Sequence, residues 1–396
     1  MGAGVRDSST VETSRKSAMR FIVALGLISL FADVTYEGAR SIIGPFLGTL
    51  GASAFTVGFV AGFGEMVGYA LRLASGYAAD KTRSYWLLTI VGYALNLAAV
   101  PLLAVANGWG IAAILIVLER VGKAIRTPSR DVMLSQAAKQ VGRGWGFGLH
   151  EAMDQTGAFI GPLAVAVVLA RWHEYPRAFA ILAIPAAFAI VTLLTARRFY
   201  PQPIHFEKKA VELTSRGLPR IFWIYVVAAG LLAAGFVDFP LMAYHFQKDS
   251  LATQATIPVL YAVAMGLEAV TALLFGKLFD RIGITALILG ALLSVASSPL
   301  VFLGGFPAAV AGMALWGLGM GAQQSLLRAE VANMVTVEHR GAAYGIFNTA
   351  YGMLWFGGSA AMGALYGVSK PSLVLFAMAA QLSAIPLLLF VKGKMH

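Results

Sequence analysis

The sequence predicts an all-α membrane protein: twelve transmembrane helices arranged as two pseudo-symmetric six-helix bundles. Three observations carry this. Apolar residues are 58% of the chain and charged ones only 12%, whereas soluble domains hold about 45–50% and about 25%. Such a chain would expose more oily surface than water tolerates. Twelve runs are apolar over about the 20 residues that a helix needs to cross a bilayer. Lys and Arg gather in alternate connections between those runs, as the positive-inside rule requires.

The stretch 1–20 is polar, carries Arg15 and Lys16, and reads as a cytoplasmic tail. The apolar run behind it is too long for a signal-peptide core, and no small-residue cleavage site follows, so it is a retained first span. Spans are expected at 21–47, 54–79, 85–106, 109–125, 145–169 and 178–197, then at 221–244, 257–279, 285–303, 308–327, 342–368 and 372–390. Gly161-Pro162 and Pro240 interrupt two of them, which neighbouring helices can tolerate by re-satisfying the freed backbone groups. The segment 200–217, with Pro201, Pro203, Lys208, Lys209 and Arg216, is a cytoplasmic linker between a first bundle, 21–199, and a second, 218–392.

With the N-terminus inside, 23 of the 30 Lys and Arg fall on the inner side; Arg171, Arg177, Lys248 and Lys370 lie outside, and Arg40, Arg72 and Arg120 lie within spans. Both termini are therefore expected in the cytoplasm, beneath the cell's inner (plasma) membrane. The net charge of +11 follows from this topology, so no nucleic-acid partner is expected. The chain has no cysteine, which removes disulfides, thiolate metal sites and cysteine nucleophiles. No Gly-Lys-Ser/Thr phosphate loop follows a strand, so an ATP-driven pump is not supported.

The halves repeat. Gly76-x-x-x-Asp80-Lys81 after the second span matches Gly276-x-x-x-Asp280-Arg281 after the eighth, at an offset of 200. Arg143-Gly144-x-x-x-Gly148 matches Arg340-Gly341-x-x-x-Gly345 at an offset of 197, which also aligns Gly161 with Gly358, Arg126 with Gln323 and Glu151 with Asn348. Six spans per half make these parallel repeats about an axis along the membrane normal.

At these residues the chain resembles the major facilitator superfamily, over nearly its whole length. Gly76-x-x-x-Asp80-Lys81-x-Arg83 looks like that superfamily's inner-gate motif, without the second Gly after the basic residue. The second copy keeps Gly283 but lacks the basic residues that normally follow. Arg120-Val-Gly122 is similar to the fourth-helix motif, with the Gly closer than usual. Gly157-Ala-Phe-Ile-Gly161-Pro162 matches the Gly-x-x-x-Gly-Pro motif of antiporters and exporters. The run from Arg120 to Asp131 also resembles a bacterial and archaeal branch without an assigned substrate. The resemblance implies a twelve-helix carrier working by alternating access, with Gly76, Asp80, Arg83, Gly276, Asp280 and Arg281 at the cytoplasmic gate and Gly157, Gly161 and Pro162 as a moving contact. It implies neither an enzyme nor a cofactor.

Charge inside the bilayer costs at least about 2.5–3.5 kcal/mol per residue, so each such residue needs a partner or a task. Asp33, Glu37 and Arg40 share a face of the first span; Glu37 and Arg40 could simply pair, while Asp33 lies deeper. Glu65 has no basic residue within one turn. Arg120 could neutralise Asp33 or Glu65. The expectation is that Asp33, Glu65, Glu37 and Arg120 handle a coupling proton. His150 and Asp154, four apart on the fifth span, could close a gate against Arg126 and Arg130, or with Asp33 could bind a divalent metal. In the second half Asp238 and Glu268 are the acids well inside spans, with Gln323, Gln324 and Asn348 as neutral hydrogen-bonding groups. Asp238, Glu268, Gln323 and Asn348, with Arg40, His150, Asp154 and the aromatic Trp355, are the substrate-contact candidates. Together these residues imply proton-coupled export of a small amphiphilic drug or metabolite by a monomer that binds protons, its small-molecule substrate and lipid. Two alternatives stay open: a divalent-metal exporter using Asp33, His150 and Asp154, and a membrane receptor or scaffold that transports nothing.

Overall fold

A computed structural model describes residues 8–201, 218–336 and 340–395. Among them no strand occurs, and twelve helical spans run back and forth. In the first half these are α1 (Ser8–Thr49), α2 (Ala54–Thr82), α3 (Tyr85–Leu102, with a 3₁₀ turn Leu103–Val105), α4 (Trp109–Val141), α5 (Arg143–Trp172) and the broken pair α6 (Tyr175–Ile181) and α7 (Ala183–Phe199). The second half holds the broken pair α8 (Arg220–Gly235) and α9 (Phe239–Lys248), α10 (Thr256–Ile282), the broken pair α11 (Ile284–Val295) and α12 (Ser297–Leu303), α13 (Phe306–Met334), α14 (Arg340–Val368) and α15 (Lys370–Met395). An even number of spans puts both chain ends on one side, called here the terminal side. Of the expected linker, all beyond residue 201 lies outside the described residues, with Lys208, Lys209 and Arg216.

Two ends differ from the sequence expectation. The first helix starts at Ser8 instead of after a tail of 20 residues; no Gly or Pro interrupts the chain between Ser8 and Gly26, so nothing stops helical propagation. The fourth helix does not end near Ile125. It runs on to Val141 through Pro128, and Arg126 is only 1% exposed. Lys123, Arg126 and Arg130 therefore belong to the bundle interior and not to a polar connection.

Each half builds its own hydrophobic core, one around Ile22, Leu25, Phe46, Tyr93 and Phe179, the other around Phe222, Phe239, Trp316, Phe347 and Leu388. Large apolar side chains such as Val167, Leu273, Val368 and Leu375 stand outward and exposed, as lipid-facing positions do. Nine of the spans are long and apolar enough on their own to cross a bilayer, among the described residues. The others are α4, with Glu119, Arg120, Lys123 and Arg126 in one stretch, and the glycine-rich α13 and α14.

The halves meet along α2 and α14. A Cβ added to Gly62 would lie 2.7 Å from the Ser359 Cβ, one on Gly363 3.0 Å from the Phe55 Cα, one on Gly352 2.9 Å from the Tyr69 Cβ, and one on Gly345 2.8 Å from Leu73 Cδ1. Small residues here let two backbones approach closely where lipid supplies no hydrophobic drive between helices.

Candidate functional site

Three side chains of α1 set the site: Asp33, Glu37 and Arg40, at helical spacing on one face in the middle of the span. They face inward because α5 lies hard against α1. A Cβ on Gly157 would stand 2.9 Å from the Asp33 Cβ, and one on Gly161 2.9 Å from the Val34 Cα. The Gly157–Gly161–Pro162 motif is thus the close contact that holds Asp33 between two helices.

Glu65, which has no basic neighbour in sequence, is the most heavily paired acid. Its Oε1 lies 3.0 Å from Arg40 Nη2 and 3.2 Å from Arg120 Nη2. Arg120 also meets Glu119 through Nε at 3.3 Å, and Glu119 accepts from Asn96 Nδ2 at 2.6 Å. The simple Glu37–Arg40 pairing is not what forms. Glu37 instead lies 3.7 Å from Lys123 Nζ and accepts a 2.6 Å hydrogen bond from Tyr261 of α10, across in the other half. Lys123 also sits over the Tyr36 ring at 3.9 Å. Asp33 accepts from the Tyr36 hydroxyl, and among the described residues no cation lies within ion-pair distance of it. A buried charge held by several partners is tolerated, but one that loses its partner is not.

Toward the terminal side, Arg126 donates to the Tyr93 hydroxyl at 3.0 Å and lies over the Tyr93 ring at 4.3 Å. Arg130 donates to Asp131 at 2.8 Å and to Ser29 at 3.0 Å, and is 3.8 Å from Asp154. His150 Nδ1 is 3.6 Å from Asp154, and its Nε2 bonds Ser29 at 3.1 Å. No hydrogen bond or ion pair joins Asp33 to this pair among the described residues. Among the described residues no three His, Cys, Asp or Glu side chains gather closely enough to hold a metal ion.

In the second half, the break between α8 and α9 leaves Asp238 extended just ahead of a helix N-terminus. Trp316 Nε1 satisfies the freed Val237 carbonyl at 2.9 Å. Asp238 Oδ2 accepts from Trp355 Nε1 at 2.9 Å and from Ser359 at 2.6 Å, while Oδ1 faces Arg40 at 3.8 Å. Discontinuous helices of this kind place binding groups at mid-membrane. Glu268 of α10 is 8% exposed, with no hydrogen bond or ion pair to another described residue. Gln323 and Asn348 lie away from this centre, on the wall of a cavity toward the terminal side. The gate candidates Asp80, Arg83, Asp280 and Arg281 are exposed at the helix ends. Arg83 takes a left-handed backbone, φ 53°, as the cap of α2, Gly76 lies 3.7 Å from Pro128 by its added Cβ, and Gly276 meets nothing within 4 Å. No ion pair joins these gate residues among the described ones.

Tyr36, Tyr93, Tyr261 and Ser359 hold this network, and sequence reasoning did not single them out. Lys123, one turn after Arg120, could have been found from spacing alone. Tyr261 lies 224 residues from Glu37, and nothing local marks it.

The sequence profile of the Major Facilitator Superfamily matches residues 25–360. An uncharacterized protein of Mycobacterium tuberculosis is 40% identical over 383 residues, covering 95% of this chain and 94% of its own length. Among solved structures, the nucleoside transporter NupG superposes with a TM-score of 0.74 at 13% identity, over 94% of this chain and 98% of its own. A mutant of the peptide transporter POT does so with a TM-score of 0.75 at 14% identity, over 94% of each chain. At those identities the two structures speak for the fold alone.

Proposed function

The chain belongs to the Major Facilitator Superfamily, and from that premise we propose that this transporter exports a small amphiphilic drug or metabolite by alternating access, in exchange for protons. It is a carrier of small molecules and not an enzyme. The observation that carries the finer reading is a pair of contacts crossing between the bundles in the middle of the spans: Tyr261 to Glu37 at 2.6 Å and Arg40 to Asp238 at 3.8 Å. Both bridges depend on a carboxylate. Protonating Glu37 weakens the hydrogen bond it accepts from Tyr261, and protonating Asp238 removes the charge facing Arg40. Arrival of a proton is thereby linked to release of one bundle from the other. Asp33, which touches Tyr36 and no cation, is the exchange point. Arg120, bound to Glu65 and Glu119, is the fixed charge against which the protons are balanced.

Substrate contact is assigned to the second-half wall, where Asp238, Glu268 and Trp355 stand opposite Arg40. The excess of Lys and Arg in the connections on the terminal side supports reading that side as cytoplasmic, and the Gly157–Pro162 contact supports an exporter. The test uses the purified chain in liposomes that enclose a pH-sensitive dye, with amphiphilic compounds first selected by thermal shift, since any ligand of the native state raises stability. Proton movement should follow compound addition and vanish in Asp33→Asn and in Glu65→Gln. Flux that survives both substitutions removes the coupling assignment, and compound movement without proton movement makes the chain a facilitator.

A further inference from the structure

The cations inside the first bundle are not held alike. Arg40 and Arg120 stand 3.0 and 3.2 Å from Glu65. Arg126 donates to Tyr93 at 3.0 Å, and Arg130 donates to Asp131 at 2.8 Å. Lys123 of α4 has no contact that short. Its Nζ makes no hydrogen bond to another described residue, its carboxylate neighbour Glu37 is 3.7 Å away, and it rests over the Tyr36 ring at 3.9 Å. The side chain keeps 21% exposure, so the ammonium has room to move. A lysine suits such a place, being a compact charge with three rotatable donors on a flexible stem.

The ring beneath Lys123 leads to a second carboxyl. The Tyr36 hydroxyl donates to Asp33, so the ammonium lies on the face of the same phenol whose edge holds Asp33. Asp33 and Glu37 are four residues apart on α1, about 6 Å along its axis. Of the cations around these two acids, Lys123 acts most strongly on both. A ring face attracts a cation, so an ammonium passing from one carboxyl to the other is never without a partner. Charges from other elements also reach Lys123: Glu119 and Arg120 on its own helix, Glu65 of α2, Asp154 of α5 and Glu268 of α10. Glu65, Glu119 and Asp154 already face arginines. Glu268 faces none and is the rival destination.

We propose that Lys123 is the mobile cation that carries the state of Asp33 to the bridge between the bundles. It stays by Glu37 while Asp33 holds a proton, and it moves along the Tyr36 ring to Asp33 when that proton leaves. Glu37 is then left with the Tyr261 hydrogen bond and without its ion pair, a costly state for a buried carboxylate. The grip of one bundle on the other thus changes with the charge of Asp33, which touches neither Tyr261 nor Glu37. This relay rests on the exchange role given to Asp33 above.

Double-mutant cycles on the full chain in detergent, with melting temperature read across a range of pH, test it. Lys123→Met combined with Glu37→Gln should show a coupling of about a degree or more at mildly acid pH that fades as pH rises. Combined with Asp33→Asn, it should show a coupling that grows over the same rise. A lysine that merely pairs with Glu37 would keep that coupling at alkaline pH and show none to Asp33, which overturns the proposal. Growing coupling to Glu268, read with Glu268→Gln, in place of Asp33 does the same. The chain has no cysteine, so Lys123→Cys carries a single thiol and gives a second variant. Aminoethyl methanethiosulfonate converts that thiol to a disulfide, with loss of methanesulfinate, and rebuilds a side chain ending in an ammonium; the methyl reagent leaves it neutral. Both products share one substitution, so this comparison holds if Lys123→Met folds poorly. The aminoethyl product should restore both couplings and the methyl product neither, and equal couplings in the two overturn the proposal. The expected couplings without proton movement in liposomes would remove the carrier reading and leave the relay standing. Proton-coupled movement that survives Lys123→Met would do the reverse.

Discussion

The two bundles share a helix order and differ in how they treat polar groups. In the first, charge is dense and mostly set against charge or aromatic rings: Glu65 holds two arginines, Arg120 holds two glutamates, and Arg126 lies between tyrosines, while single atoms such as Arg40 Nε, Arg126 Nε and Asp154 Oδ1 go without a hydrogen bond. In the second, the position aligned with Arg126 is Gln323, with both amide atoms unpaired, and the position aligned with Glu151 is Asn348. The difference teaches where hydrogen-bonding capacity is left unused. In the charged network each side chain keeps at least one partner, whereas Gln323 has neither of its polar atoms engaged.

The comparison can be broken most easily at Glu65. Glu65→Gln leaves Arg40 and Arg120 without their shared anion, and stranding buried charge costs roughly 3–5 kcal/mol. Thermal unfolding in detergent should show a large drop, and adding Arg120→Gln should recover part of it; a drop that the second change deepens would refute the pairing. Next in size is Gly157→Val, which drives a branched side chain into α1 beside Asp33. Overpacking of this kind costs roughly 1–3 kcal/mol, read in the same melting assay, while Gly276→Val, where nothing lies within 4 Å, should melt nearly as the parent does. Asp238→Asn should move stability by up to about 1 kcal/mol, because the Arg40 contact is long and the Trp355 and Ser359 donors keep an acceptor; its effect should appear in transport, which is expected to fall sharply. The smallest and most diagnostic change is Gln323→Leu. If that amide is truly uncompleted, its removal leaves the melting temperature unchanged or raises it by about 1 kcal/mol of stability, and a clear loss would mean that it holds the fold together.

Nine of the spans were legible because each is long and apolar on its own; α4, α13 and α14, more charged or richer in glycine, were legible from the apolar part of each. Their interruptions were less so: Pro240 marked a break in its span, and the extended stretch Phe236–Asp238 lies just ahead of it with Trp316 and Trp355 as partners, whereas Gly161-Pro162, expected to interrupt its span, lies within the unbroken α5. Pro128 and the nearby arginines imitated a helix end because the tyrosine faces that shelter Arg126 come from other helices. The intramembrane acids were visible, and Arg120 was foreseen as a partner for Asp33 or Glu65, which it is for Glu65. The second cation on Glu65, Arg40, was not foreseen, since sequence reports neighbours within a turn and this one arrives from α1. Gln323 and Asn348 were found by alignment of the repeats, which marks a position as different without saying that its hydrogen bonds go unmade.

The glycine-lined join between α2 and α14 has a further meaning for cargo. Backbones packed that tightly, from Gly363 beside Phe55 to Gly345 beside Leu73, leave no slit through which a molecule dissolved among acyl chains could slip sideways into the interior. Along that flank the protein is walled off from the leaflet, so a molecule arriving from the acyl chains would have to enter by another face.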